Sequence, residues 1–277
     1  MKLVALAMAL AALALTGSAT AANRHVVETA VDGNVEADFS YDYNAQSYRF
    51  TNPHLTIRRG GAVLLDEDLK PVTSYSEVDP ARYFNHQKSV AVRNLDVDPE
   101  PEIVLHLWWG GAHCCWYTQV YRFDQMANDY VLTRHIFGNA DYRARDLDHD
   151  GRPEFVSGDD RFAYQFTDFA DSSWPVQVWR YRAGRFDDVT RSFPTLARRD
   201  ARRQWHWALA RRYRTDNVGV LAAWTADECL LRHCDSAFRQ LEVLRREHHL
   251  GLGWDKTAKA FLRHLQKFLR RTGYMSK

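Results

Sequence analysis

The sequence has no long apolar run after Leu15, which excludes a further membrane-spanning helix of about 20 apolar residues. It also lacks a nucleophile elbow, a phosphate-binding glycine loop, a dinucleotide fingerprint and an HExxH motif, so no common enzyme class is indicated by a motif. Cysteine is scarce, with 4 residues that fall as two local pairs. Outside the cytosol, such pairs favour disulfides over redox or metal sites.

The start of the chain is typical of a leader. Lys2 is followed by an apolar run over residues 3–15 and then by the small-residue site Ala19-Thr20-Ala21. This pattern predicts a secretory signal peptide over residues 1–21. We therefore expect a periplasmic or secreted protein with no membrane span after signal cleavage.

Charge divides the remaining chain into two parts. Residues 22–190 carry 17 Lys and Arg against 27 Asp and Glu, whereas residues 191–277 carry 19 against 8. The contrast indicates a boundary. It predicts either docking of a basic part on an acidic part or two solvated surfaces of opposite sign.

The two parts also differ in hydrophobic pattern. Short runs rich in Val, Ile, Phe, Tyr and Trp, separated by Gly, Asp and Asn, predict strands over residues 22–193. Residues 194–277 carry helical spacing. Asp255 is a predicted N-cap for the last helix, Gly273 its predicted end, and Asp235 with Ser236 a predicted cap for the helix before it. We therefore predict a β-repeat domain over 22–193 and a helical domain over 194–277.

Two acidic segments repeat within the β part. "NLDVDPEPEI" at 94–103 and "DLDHDGRPEF" at 146–155 align at a fixed offset of 52 residues. A third hairpin without an acidic loop is predicted at Gly60-Gly61. Periods near 50 residues indicate blade-like β units. About three antiparallel units are too few for a closed propeller, which takes about four to eight blades, so we expect a partial propeller or a sandwich.

The acidic segments have the ligand spacing of a calcium loop. Oxygen ligands at positions 1, 3, 5, 7 and 9 of a tight loop converge on one point and suit a hard cation. The alternative is a pair of solvated acidic turns. The predicted ligands are Asp146, Asp148, Asp150, Arg152 (through its carbonyl) and Glu154 in the second loop, and Asn94, Asp96, Asp98, Glu100 and Glu102 in the first.

The two loops are unequal in sequence. Gly151 suits the sharp turn of the second loop, whereas the first has Pro99 there, and proline cannot adopt a left-handed turn. The second loop is therefore the stronger predicted site. An EF-hand is excluded because its position 12 is Ser157 and a strand pattern follows.

These two segments resemble the calcium loops of FG-GAP or VCBS repeats, which occur in integrin α-subunit propellers and in many exported bacterial proteins. "GGAHCCW" at 110–116 is similar to a stretch in uncharacterised exported bacterial proteins of this kind. The resemblance covers roughly residues 86–190. It implies calcium-stabilised β units and roles in adhesion or binding, and it implies no reaction.

The cysteines allow several arrangements. For Cys114 and Cys115 a vicinal disulfide competes with buried thiols or longer-range bridges, and catalysis or zinc binding with His113 is disfavoured. Cys229 and Cys234 are predicted to bridge two helices, although four cysteines allow three connectivities.

Arginine pairs lie near two tryptophans in the basic part. They are interpreted as a solvated helix face, or one docked on the β part, rather than as a nucleic-acid site. Trp205, Trp207 and Trp224 are predicted at the centre of the contact between the two parts.

Together these features predict an exported, non-enzymatic calcium-binding β-repeat protein that acts as a binding or adhesion module for an unknown envelope or extracellular ligand. The alternative is a hydrolase of envelope or extracellular polymers with its site between the β and helical parts. A concave pocket with converging acidic residues would favour the hydrolase.

Overall fold

The computed structural model describes residues 23–210 and 217–275, so the predicted signal peptide at 1–21 lies outside the described residues.

The strands lie between residues 24 and 188 in three sheets, and the long helices follow them. The first sheet contains β1 (Arg24–Asp32), β2 (Val35–Asn44), β3 (Arg49–Arg59) and β4 (Ala62–Asp68). The second contains β5 (Asp79–Pro80), β6 (Val90–Arg93), β7 (Glu102–Trp108), β8 (Trp116–Asp124) and β9 (Asp129–Gly138). The third contains β10 (Arg143–Arg145), β11 (Glu154–Gly158), β12 (Val176–Arg182) and β13 (Arg185–Asp188).

The helices are the short α1 (Arg82–Asn85), which interrupts the second sheet, and four longer ones near the C-terminus. These are α2 (Pro194–Ala210), α3 (Val218–Leu230), α4 (Cys234–Arg246) and α5 (Ala258–Arg271). Within the described ranges, no helix is both long and apolar enough to cross a bilayer. The coarse prediction of a β-rich part followed by a helical part is confirmed.

Each sheet is antiparallel, and strands adjacent in the chain are mostly adjacent in space. Gly60 and Gly61 take positive φ in the turn between β3 and β4, which confirms the predicted hairpin. Ala183 and Gly184 do the same between β12 and β13. Such turns match the right-handed twist of the strands they join.

The first and second sheets pack face to face. Alternate residues of a strand point to opposite faces, and in β7 the odd positions Ile103, Leu105 and Leu107 enter a shared core with the inward side of the first sheet. That side includes Phe39 and Ile57. The other face of the first sheet is mainly polar, with Val27, Val31 and Val63 exposed among its polar side chains.

The second sheet is also covered on its opposite face. Val104 and Trp108 of β7 pack with Phe155 and Tyr181 of the third sheet. Every residue of β7 is therefore buried, which explains why this strand is nearly continuous in its apolar character. Glu102 and His106 are the two polar residues of this strand. Burial lowers the pKa of His106 to about 3, and its Nδ1 lies 2.8 Å from the hydroxyl oxygen of Tyr142.

The helical part covers the remaining face of the third sheet. Val176 and Val178 of β12 pack against Ala197 of α2, while the helices share a core with Phe162 and Phe166 from the segment between β11 and β12. The order of layers is thus first sheet, second sheet, third sheet, helices.

The predicted contact between the parts is found in part. Trp205 and Trp224 lie in the core that the helices share with Phe162 and Phe166, with their tilted rings 4.6 Å apart between centroids. Trp207 is instead 51% exposed. Among the described residues no ion pair joins the parts. Polar links include the hydrogen bond from Tyr274 Oη to Asp159 Oδ2, at 2.9 Å.

Two predicted helix caps are wrong. The N-cap of α5 is Thr257, whose side chain accepts from the Ala260 N–H, and Asp255 instead lies 3.1 Å from His264 Nδ1. Helix α4 begins at Cys234, so Asp235 sits inside its first turn. Gly273 follows the end of α5 with φ +85°, as predicted.

A carboxyl group is buried where the helices meet the third sheet. Asp227 of α3 accepts a hydrogen bond from the Val176 N–H, at 3.2 Å, and Asp200 of α2 lies beside it. Burial, together with the neighbouring Asp200 carboxylate, raises the pKa of Asp227 well above its usual range. The folded protein therefore holds a proton here that the unfolded chain releases.

Stability should fall with rising pH because of this proton. Above about pH 4 the unfolded chain ionises Asp227, so the free energy of unfolding falls by up to about 1.4 kcal/mol per pH unit until the folded pKa is reached. Asp227→Asn, which keeps an acceptor for Val176, should flatten this dependence in urea unfolding between pH 5 and pH 9. Asp235→Asn, on the exposed first turn of α4, is the control. Parallel curves for wild type and Asp227→Asn would contradict the assignment.

Candidate functional site

The two acidic loops occupy equivalent places in the second and third sheets. The first, residues 94–101, joins β6 to β7, and the second, residues 146–153, joins β10 to β11. Both strand pairs are antiparallel, with Arg93 opposite Glu102 and Arg145 opposite Glu154. The predicted repeat therefore corresponds to a repeated strand–loop–strand unit.

The glutamate that ends each loop has the same local role. Glu102 Oε2 accepts from the Leu95 N–H at 2.8 Å, and Glu154 Oε2 accepts from the Leu147 N–H at 3.0 Å. Both side chains are buried. Each carboxylate thus closes its loop by satisfying a backbone donor near the loop's start.

The central turns of the two loops differ in backbone conformation, because Pro99 of the first loop cannot take the positive φ that Gly151 has in the second. In the second loop His149 and Gly151 take positive φ, and Asp146 accepts from the N–H groups of Asp150 and Gly151. In the first loop, which contains Pro99, the side chains of Asn94, Asp96 and Asp98 each accept from the N–H two residues on, at 2.9–3.1 Å. The loops are therefore not superimposable through their central turns.

Three carboxylates converge in each loop. The groups whose oxygens lie within 4.8 Å of one another are Asp96, Asp98 and Glu102 in the first loop, and Asp146, Asp148 and Glu154 in the second. Donor sets made only of oxygen suit calcium or magnesium rather than zinc.

The other predicted ligands have different partners. Asp150 is paired with the Arg152 side chain at 2.6 Å, and Glu100 is paired with Arg59 at 2.6 Å. Asn94 donates its amide N–H to the Asp98 carbonyl and accepts from the Asp96 N–H. The side chains of these residues support loop shape, and the structure does not gather them with the three convergent carboxylates.

An arginine neutralises the second loop. Arg180 of β12 contacts Glu154 Oε1 through Nη2 at 2.5 Å and Nε at 2.9 Å, and it contacts Asp148 at 2.6 Å. This bidentate contact supplies the counter-charge that a buried carboxylate needs. Two of the three convergent carboxylates are thereby engaged.

Among the described residues, no cation contacts the three convergent carboxylates of the first loop. Glu102 Oε1 is buried with no hydrogen-bond donor, and burial, reinforced by the nearby Asp96 and Asp98 carboxylates, raises the pKa of Glu102 to about 8. Asp96 Oδ2 accepts from the Ala183 N–H at 2.9 Å. A buried carboxylate oxygen without a donor, beside two further carboxylates, is the arrangement that a bound cation would satisfy.

Sequence reasoning missed the role of Arg180, although a signal was present. Arg180 aligns with Arg122, and each lies in the second strand after its acidic loop, in β12 and β8 respectively. Arg122 lies beside Tyr121, which pairs with Ile103, so the two arginines hold equivalent register positions. In the part of the chain that the structure describes, Arg122 makes no ion pair with Glu102. Whether an arginine at this register position contacts the glutamate of its loop depends on side-chain packing. The alignment of the two segments carries no information about that packing.

Both cysteine pairs are disulfides. Cys114 is bonded to Cys115, and Cys229 to Cys234 across the α3–α4 corner. The imidazole of His113 stacks on Phe169 with centroids 4.0 Å apart, and its Nδ1 lies 3.0 Å from the Tyr164 hydroxyl. His113 therefore serves packing between two loops.

No protein-family model matches the sequence. Over 168 residues the chain is 32% identical to a Synechocystis protein named as a probable thylakoid lumen protein, an alignment that covers 58% of this chain and 49% of that protein. It is 28% identical over 192 residues to an uncharacterized protein of Sinorhizobium fredii, covering 67% of this chain and 29% of that protein. The chain thus spans about half the length, or less, of these curated relatives.

A solved structure of a Xanthomonas type IV secretion system related protein aligns with 61% of this chain and 97% of that chain, at 15% identity and a TM-score of 0.24. A likeness of this size carries no argument about fold or function.

The different roles of the two arginines can be measured. Arg180→Met should lower the free energy of unfolding by about 1–3 kcal/mol, because it leaves buried Glu154 without its charged donor. The loss should be smaller than for a fully buried pair because Arg180 and Asp148 are partly exposed. Arg122→Met, at the equivalent position, should cost less than about 1 kcal/mol. Urea unfolding in chelator compares the variants, and equal losses would contradict the assignment.

Proposed function

We propose that this chain is an exported calcium-binding β-repeat protein that acts as a binding module, with calcium held in the first acidic loop as a structural ligand. The observation that carries the calcium proposal is the buried, donor-less Glu102 oxygen beside Asp96 and Asp98. The three antiparallel sheets, stacked by their faces, support the interpretation of blade-like units in a partial propeller.

Export is supported by two independent observations. The first 21 residues have the pattern of a signal peptide, and one relative carries the name of a lumenal protein. Two disulfides fit an oxidising compartment. We propose a periplasmic or secreted location.

The geometry supports the first loop as the calcium site, the opposite of the order predicted from sequence. Calcium at the second loop would have to displace Arg180 from Glu154 and Asp148, whereas calcium at the first loop would replace no cation. Asp96, Asp98 and Glu102 would supply the carboxylate ligands there. Pro99 shapes the first loop differently but does not prevent its carboxylates from converging.

Calcium should therefore stabilise the folded protein modestly. Extracellular calcium modules have Kd values of about 10⁻⁴–10⁻³ M, so at about 1 mM calcium the gain is roughly 0.4–1.4 kcal/mol. For a chain of this size this corresponds to a rise in Tm of about 1–5 °C. Thermal melting with calcium and with chelator measures it, and calorimetric titration of chelator-treated protein with calcium gives the stoichiometry.

Matched glutamine variants locate the site. Glu102→Gln should abolish the calcium-dependent rise in Tm while raising Tm in chelator. It removes a buried carboxyl that the metal-free protein must protonate on folding, because its pKa is raised to about 8, and it keeps the acceptor for Leu95. Glu154→Gln should retain the calcium response and lower Tm in chelator, because it weakens the contact with Arg180. A calcium response lost in Glu154→Gln and kept in Glu102→Gln would place the metal in the second loop. A wild-type curve unchanged by chelator, with no heat of calcium binding, would reject the metal altogether.

A further inference from the structure

A cleft lies where the helical part meets the third sheet. It has a volume of about 550 Å³, and its wall combines residues 139–141 and 156–158 with residues 172–174 and one face of α2. Ligand-binding pockets of proteins have volumes of about 300–1,000 Å³ and occur preferentially between structural units. Neither acidic loop's carboxylate cluster lines this cleft.

One helix face supplies most of the charged wall. Leu196, Arg199, Asp200, Arg203 and Trp207 of α2 all line the cleft. Their spacings of three and four residues place them on one side of the helix. Arg145 of β10 lines it as well, from the sheet.

Two of the cleft's three arginines are uncommitted. Arg203 is ion-paired with Asp200 and lies over the Trp207 ring, 5.3 Å from its centroid. Arg145 and Arg199 are exposed and make neither an ion pair nor a side-chain hydrogen bond within the described residues. The cleft's second carboxylate, Asp141, lies 3.6 Å from Arg143. Arg145 and Arg199 are thus left without a carboxylate partner in the described chain, in a cleft that also holds a half-exposed indole.

Unpaired arginines beside an exposed indole favour one class of ligand. A guanidinium binds a carboxylate or phosphate through paired N–H donors, while an exposed indole offers a flat apolar face with a polar edge. A saccharide that carries an acidic group has both complementary features, because its C–H face packs on an aromatic ring and its anion pairs with arginine.

We propose that this cleft binds an acidic saccharide, with Arg145 and Arg199 pairing with its carboxylate or phosphate and Trp207 packing on a sugar face. The proposal names the class of ligand that the binding module takes, and it therefore rests on the proposed binding function. Saccharide binding in the cleft does not depend on calcium, so the calcium proposal and the saccharide proposal can be rejected separately. Calcium binding is tested without saccharide, and saccharide binding is tested in metal-free buffer.

Calorimetric titration of the full chain separates the possible ligands. The probes are tetragalacturonate for a carboxylated sugar, glucose 1-phosphate for a phosphorylated one, neutral maltotetraose, and inorganic phosphate. We expect one or both acidic saccharides to bind more tightly than maltotetraose and than phosphate alone, with affinity that falls as salt rises. The acidic probe that binds identifies the source of the anion.

Variants then locate the binding. Arg199→Gln and Arg145→Gln should each weaken binding about tenfold or more, since each removes a charge-assisted contact, and Trp207→Ala should also weaken it. Arg198→Gln, next to Arg199 but outside the cleft wall, is the matched control and should bind as wild type does. All four positions are exposed, and circular dichroism checks that each variant folds.

Three results would overturn the proposal: no binding of either acidic saccharide, equal binding of maltotetraose, or an equal loss in Arg198→Gln. Cleavage of tetragalacturonate, detected by chromatography of the titrated sample, would confirm the ligand class and replace the binding role with the hydrolase alternative.

Discussion

The structure depends on one constraint: the second sheet is apolar on both faces and cannot be left exposed on either. Strand β7 alternates residues toward the first sheet and toward the third, so both neighbours are required to remove it from water. The third sheet in turn has a second apolar face, at Val176 and Val178, which α2 covers. The helical part therefore completes a series of layers that the middle strand makes necessary. The polar outer face of the first sheet ends the series on the other side.

The layered order could be predicted only in part. Strand and helix positions followed from composition and periodicity, and the hairpin at Gly60-Gly61 followed from turn chemistry. The charge contrast left open whether the two parts dock or present separate solvated surfaces. Net charge describes surfaces, whereas the junction is built from apolar side chains and hydrogen bonds. Trp207 illustrates the same limit, since aromatic residues near a boundary are not all buried there. The cap of α5 moved from Asp255 to Thr257 because Asp255 contacts His264, a partner that lies 9 residues away.

In the candidate metal site, too, features set by residues close in sequence were predictable, and features set by residues distant in sequence were not. The spacing of the acidic residues was sufficient to predict that carboxylates converge, since alternate positions of a tight loop face one point. The ranking of the loops was not predictable from spacing, because it depends on Arg180, which approaches from a strand 26 residues beyond Glu154. In one loop the protein supplies its own cation, whereas in the other a buried carboxylate remains without one. Two segments with the same spacing of acidic residues thus have different electrostatic environments.

The hydrogen bond from the Ala183 N–H to Asp96 Oδ2 connects the first loop to a hairpin turn of the third sheet. Arg152 also reaches the Asp96 carbonyl, at 3.5 Å, so one residue of the second sheet receives two contacts from the third. Asp96 therefore links the second sheet to the third through both its carboxylate and its carbonyl. An ion bound at the first loop would act on the packing between sheets as well as on the loop. The amide of Ala183, through its rate of hydrogen exchange, would report that coupling from a position outside the loop itself.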